Sequence, residues 1–294
     1  MKPDRFSNFV AIDWSGAAGE RHKGIAVALA GAGVEAPALV RPGHRWSRPE
    51  VLHWLLHDMP ENTLVGLDLG IALPFADRGG YFPEWPESPP DARSLWALVD
   101  RICAEDPYLA ATSLVDHPEA SHHFRRHGGR EGRHFGLGGR RGGRGRFRVT
   151  ERAQEAMGCR PYSNFNLVGA AQVGKSSLAG MRLLHGLDSR LPVWPVDPLP
   201  QAGSVVVEIY TTIAAMAAGR PPGRSKMRSH AELRTALTNL GSAAPPGTGP
   251  IEDHAADAMV TAAWLRRVAH DPALWDPPGL APVAATEGWT FGAR

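Results

Sequence analysis

The rhythm of apolar and polar positions along the chain predicts an α/β protein. Residues 8–13 (NFVAID) form a short apolar run that closes on Asp13 and a Ser15-Gly16 turn, the mark of a buried strand. A second strand is expected at 24–30 (GIAVALA) and a weaker third at 34–41. The short charged segment AGERHKG between the first two predicts an antiparallel hairpin. Over 47–59 (SRPEVLHWLLHDM), Val51, Leu52, Leu55 and Leu56 take helical spacing behind Ser47 as N-cap. Residues 63–70 (TLVGLDLG) are apolar but too few for a helix, so a fourth strand is expected. A fifth follows at 204–210 (SVVVEIY). The last strong element is a helix at 253–269 (DHAADAMVTAAWLRRVA), with Ala256, Met259, Val260, Ala263 and Trp264 as its apolar positions. Pro245, Pro246 and Pro250 precede it and set its start.

Residues 75–203 interrupt this alternation and read as an insertion within a single domain spanning 1–294. The insertion holds a Pro-rich loop (FPEWPESPPD), a helix expected at 91–104, an Arg/Gly tract at 121–148 and the segment VGKSSLAGMRLLHGL. The tail, ending EGWTFGAR, is expected to pack as an edge strand or extension.

Composition narrows the class. A chain of 294 residues, 43% hydrophobic and 21% charged, can bury a full globular core. No apolar run approaches the roughly 20 residues of a membrane span, and MKPDRFSNFVAID lacks the apolar region of a secretory signal. Cys103 and Cys159 alone make neither a disulfide framework nor a zinc pattern, so a reducing, cytoplasmic setting without membrane association is expected. The net charge of +2 conceals an uneven distribution: residues 121–148 carry nine arginines against one glutamate. Such asymmetry points to a polyanionic partner, of which nucleic acid is the natural candidate.

The candidate chemistry lies in acids placed where a buried acid is least expected. Asp13 and Asp68 close apolar strands, Glu208 interrupts VVVEIY, and Asp253 and Asp257 open the last helix, four residues apart and so on one face. A buried carboxylate needs hydrogen bonds, a cation or a metal. Strand ends in an α/β sheet are also where ligands bind. Each residue has a plainer reading, as a turn residue for Asp13 and Asp68 or an N-cap for Asp253. Taken together, hard oxygen donors of this kind select Mg²⁺ or Mn²⁺, and two such ions would activate a water and stabilise a phosphodiester's leaving oxygen.

The motifs VAIDWSG, GLDLGIALP, VVVEIYTT and DHAADAMVTAAWL, in this order, together with FRVTERA and GAAQVGKSSLAG, resemble the domain-of-unknown-function family 429. That family is grouped with the ribonuclease H-like superfamily and regarded as predicted nucleases. The resemblance implies a mixed five-stranded sheet flanked by helices, with a large insertion between the fourth and fifth strands. It also implies metal ligands at Asp13, Asp68, Glu208, Asp253 and Asp257, with Asp13, Asp68, Glu208 and Asp257 as the catalytic set. The activity it implies is that of a Mg²⁺- or Mn²⁺-dependent hydrolase.

Two further segments bear on phosphates. GAAQVGKS, Gly169 to Ser176, satisfies the pattern G-x-x-x-x-G-K-[ST], in which backbone amides and the lysine cradle phosphates. The pattern demands a buried strand entering the loop, and RPYSNFNLV is a poor one. A milder role gives Lys175 and Ser176 a substrate phosphate. The Arg/Gly tract reads as a mobile basic loop whose Arg140, Arg141, Arg144 and Arg146 contact nucleic-acid backbone. The leading expectation is therefore a metal-dependent nuclease or related nucleic-acid-processing enzyme. The rivals are a P-loop or actin-like NTP-binding phosphotransferase or ATPase, and a non-catalytic nucleic-acid-binding protein.

Overall fold

The apolar strands predicted from the sequence assemble into one mixed sheet, seen here in a computed structural model that describes residues 5–136, 143–169 and 173–294. Strand β1 (Asn8–Asp13) pairs antiparallel with β2 (Ala26–Gly31), which pairs antiparallel with the short β3 (Ala38–Leu39). Helix α1 (Arg48–His57) follows, with a capping box between Ser47 and Glu50. Strand β4 (Thr63–Leu67) then runs parallel to β1. The chain from β4 to the next central strand contributes α2 (Ala92–Ile102), α3 (Thr112–Asp116), a two-residue hairpin β5 (Arg125–Arg126) and β6 (Arg130–Glu131), α4 (Val149–Ala156), α5 (Val173–Gly186) and β7 (Val193–Trp194). Strand β8 (Val205–Glu208), α6 (Thr211–Ala217), α7 (His230–Asn239) and α8 (Asp253–Val268) complete the order.

The sheet has six strands in the order β3-β2-β1-β4-β8-β7, one more than expected. The addition is β7, whose two residues pair with Val206 and Val207 at the open side of β8. No alternating pattern of useful length could announce so short a strand. Strands β1, β4, β8 and β7 are parallel, so their C-terminal ends lie along one edge.

Side-chain alternation divides the sheet into two faces. Val10, Ile12, Val65, Leu67 and Val206 join the core beneath α1, α2 and α5. Phe9, Ala11, Leu64, Val205 and Val207 join the opposite core beneath α6, α7 and α8. The result is three layers, helices on a sheet on helices. The alanines of α8 let it lie close to the sheet, and Gly66 completes the fit: a Cβ there would stand 3.0 Å from Leu265 Cδ1 and closer still to Ile209. The tail is neither exposed nor an added edge strand of the main sheet. Thr290 bridges Glu208, and Trp289, Thr290, Phe291 and Ala293 are buried.

The described part of the Arg/Gly tract is held by specific contacts. Arg146 is fully buried, binding both oxygens of Asp77 at 2.6 and 2.8 Å and the carbonyls of Pro74, Gly80 and Tyr81. Arg125 pairs with Glu131 and Arg126 with Asp116. Arg146 and Arg126 take carboxylates from outside the tract, Asp77 and Asp116, a use that local charge counting cannot reveal. Among the described residues no helix is long and apolar enough to cross a membrane.

Candidate active site

The same alternation that builds the two cores decides which acids meet. Asp13 follows Ala11 in parity and Asp68 follows Gly66, so both turn toward α8. The backbone registers them side by side, since Asp68 N–H donates to the Ile12 carbonyl at 3.0 Å. Asp257, in the second turn of α8, meets them from above. Glu208 follows Val206 and therefore turns to the other face.

The α8-side trio is crowded. Asp13 and Asp257 are 5% and 3% exposed. Removal from water pushes the Asp68 carboxyl up to about 8, with the charges of Asp13 and Asp257 adding to the shift and Lys226 opposing it. Among the described residues, the Asp68 oxygens accept long contacts, 3.4 Å each, from the Thr211 amide and hydroxyl. Burial also raises Asp257, to about 6, against the pull of Lys226. The Lys226 ammonium donates to Asp257 Oδ2. Burial alone would lower it, yet Asp257, Asp13 and Asp68 together hold it above the ordinary lysine range. His254 Nδ1 lies 3.0 Å from Asp13 Oδ2, and that bond raises the imidazole against the cost of burial. Asp253 stands at the rim in the first turn of α8, its carboxylate 3.9 Å from His254 Nε2, while Glu252 takes the N-cap position.

Glu208 sits in a compensated network. It accepts from both terminal nitrogens of Arg148, at 2.6 and 2.7 Å, from the Ile71 amide at 2.8 Å and from the Thr290 hydroxyl. Arg148 also pairs with Glu151 at 2.6 Å, and its guanidinium is 1% exposed. The burial of Glu208 therefore has a structural cause, although Glu208, Arg148 and Glu151 line the same cavity as Asp68.

A cavity of about 620 Å³ opens at this edge of the sheet, with Asp68, Lys226, Trp14, Tyr162, Tyr210 and Ser176 in its wall. Ser176 joins α5 to the turn after β1: its hydroxyl accepts from Gly16 N–H at 3.1 Å, and its carbonyl accepts from the Trp14 indole at 3.1 Å. Arg48, 1% exposed, fixes the same turn by donating to the Ser15 carbonyl at 3.0 Å and to that of Ala17.

Among the described residues, no strand of the central sheet leads directly into the segment GAAQVGKS. Among those residues, Asn166, just upstream, bridges Arg125 but belongs to no strand of the central sheet. The Gly174 amide donates to the Asn166 carbonyl at 3.1 Å, and the glycine is required there because a Cβ would stand 2.5 Å from the Asn164 carbonyl. Lys175 is half-buried, without an ion pair among the described residues. Residues 170–172 lie outside the described residues, as do Arg140 and Arg141. Arg144 pairs with Glu155, and Arg146 is sealed against Asp77, so neither joins the carboxylates.

Of the acids named from the sequence, Asp13, Asp68 and Asp257 stand near Lys226, whereas Glu208 is paired with Arg148 in the wall of the cavity that Asp68 also lines. Sequence reasoning missed Lys226, in a segment without regular pattern, and His254. The latter had a signal, because it stands between Asp253 and Asp257 in DHAAD, three residues before Asp257 on the same helical face.

As placed, and among the described residues, no three His, Cys, Asp or Glu side chains converge closely enough to cage a metal ion. The donor chemistry nevertheless fits one. Three carboxylates stand together at the edge of the cavity, and the Lys226 ammonium reaches them from the solvent side. No protein-family model, curated protein or solved structure matches the chain.

Proposed function

We propose that the cavity at the C-terminal edge of the sheet is the active site of a divalent-metal-dependent phosphodiester hydrolase acting on nucleic acid. The observation that carries this reading is the trio Asp13, Asp68 and Asp257, drawn from two adjacent strands and the last helix and less than fully compensated. The strand order β3-β2-β1-β4-β8, with only β2 antiparallel among the strands from β2 through β8, supports a ribonuclease H-like reading of the fold. The resemblance to family 429 supports it independently, from the motifs.

Asp13, Asp68 and Asp257 would hold Mg²⁺ or Mn²⁺, with Asp253 and His254 at the rim. When bound, the ion would supply a water activated as nucleophile and positive charge for the leaving oxygen. The chain's own groups do the rest. His254 holds Asp13 in place through their hydrogen bond, while Thr211 steadies Asp68. Tyr162, 51% exposed, presents aromatic surface along the cavity wall, suited to stacking against a base. The test is a Mn²⁺ cleavage assay on single-stranded, duplex and branched DNA and RNA, run beside Asp13→Asn. Cleavage lost in the variant is expected; absence of cleavage by both proteins at saturating Mn²⁺ would remove the reading.

A further inference from the structure

The loop between α6 and α7 carries Lys226 to the carboxylates with a construction that surface lysines lack. Its backbone is pinned on both sides. The Lys226 carbonyl accepts from Arg220 at 2.9 Å, and Arg220 is itself tied to Glu232 at 3.0 Å. The next residue, Met227, is wholly buried in the α8-side core. From this fixed base the side chain, still 48% exposed, stretches over the sheet edge to Asp257. Its charge also acts on Asp68 and is acted on by Asp13. Asp13 already has His254 as its partner, so Lys226 is the cation that answers Asp257 and Asp68, and an ammonium on a four-carbon stem can swing out to solvent without moving the backbone.

We propose that Lys226 is a built-in placeholder cation: it occupies the carboxylate trio when no metal is present and is displaced to solvent when a divalent ion binds. The inference rests on the proposed metal-dependent reading of this site. Its consequence is a threshold. Metal must compete with a tethered positive charge, so apparent affinity is set below what three carboxylates alone would give. The loss of that tether should tighten binding, the opposite of what removing a substrate-binding or structural lysine would do.

The experiment titrates Mn²⁺ into the full chain, its Lys226→Met variant and its Asp68→Asn variant by calorimetry, with no substrate present. Lys226→Met is expected to bind Mn²⁺ about tenfold more tightly than the natural protein, the penalty removed if the lysine-displaced state is roughly a tenth of the population. Unchanged or weaker binding in Lys226→Met, beside loss of binding in Asp68→Asn, overturns the placeholder and leaves the metal site standing. No Mn²⁺ binding by any of the three overturns both. A second readout needs no variant: reductive methylation of Lys226, followed by mass spectrometry, should speed up when Mn²⁺ is added. A rate that is unchanged, or slowed, overturns the proposal.

Discussion

Two ionic clusters meet at the C-terminal edge of the sheet, with Glu208 and Asp68 in the wall of one cavity, and they are built on opposite principles. On the α5 side, Glu208 and Glu151 share Arg148, and Glu208 is further satisfied by the Ile71 amide and the Thr290 hydroxyl. On the α8 side, Asp13, Asp68 and Asp257 share one half-exposed lysine and a histidine. The first cluster fastens β8, α4 and the C-terminal segment together. The second is less fully compensated: Lys226 and His254 answer Asp257 and Asp13, and burial leaves Asp68 holding its proton up to about 8. Burial of an acid is thus no guide to function on its own; what separates the two clusters is how fully each is compensated.

The sharpest way to break the contrast is to remove the shared arginine. Arg148→Met strands two buried carboxylates and should destabilise the protein by about 3–5 kcal/mol in urea unfolding. A loss below 1 kcal/mol would mean that the α5-side cluster is not the fastening described. Glu208→Gln should cost less, about 2 kcal/mol, because one charged partner becomes a neutral one. It should leave Mn²⁺ affinity intact, whereas a matching loss of affinity would return Glu208 to the metal site.

The α8-side cluster should respond with the opposite sign. Asp68→Asn relieves an uncompensated charge, so at pH 8 the metal-free variant should be more stable than the natural protein by about 1 kcal/mol. The Asp68 carboxyl stands at about 8 in the fold against 3.8 for the free group, so between those values the folded state holds the extra proton. Stability of the metal-free protein should therefore fall as pH rises from about 4 to 8, with Asp257, raised to about 6, contributing the same sign in the lower half. Thermal melts across this interval should show that slope, and it should flatten in Asp68→Asn. A rising slope would contradict this reading of Asp68. Smallest of all, Lys175→Ala should change stability by no more than about 0.5 kcal/mol. Neither the variant nor the natural protein should be stabilised by a nucleotide triphosphate.

The central elements were legible because each carries a strong local pattern. NFVAID gave β1 at its observed bounds, Ser47 gave the start of α1, and DHAADAMVTAAWLRRVA gave α8 to within one residue of its end. What escaped was non-local. Strand β7 is two residues held only by its neighbour. Arg146 and Arg148 looked like parts of a basic tract, and the carboxylates they serve lie 69 and 60 positions away. Helices α6 and α7 have weak patterns and owe their places to packing under α8. The trio was readable from strand ends and helix spacing, but its counter-charge was not. Lys226 comes from a segment with no periodicity, and a lysine near a carboxylate in space leaves no trace in the spacing along the chain.

The central claim is that Asp13, Asp68 and Asp257 form a cation-binding reaction centre. Calorimetric titration of Mn²⁺ into the natural protein and into Asp68→Asn tests it most directly. Saturable binding in the natural protein, weakened by about 100-fold or more in the variant, is the predicted result. Equal affinity in both, or no binding by the natural protein, would contradict it.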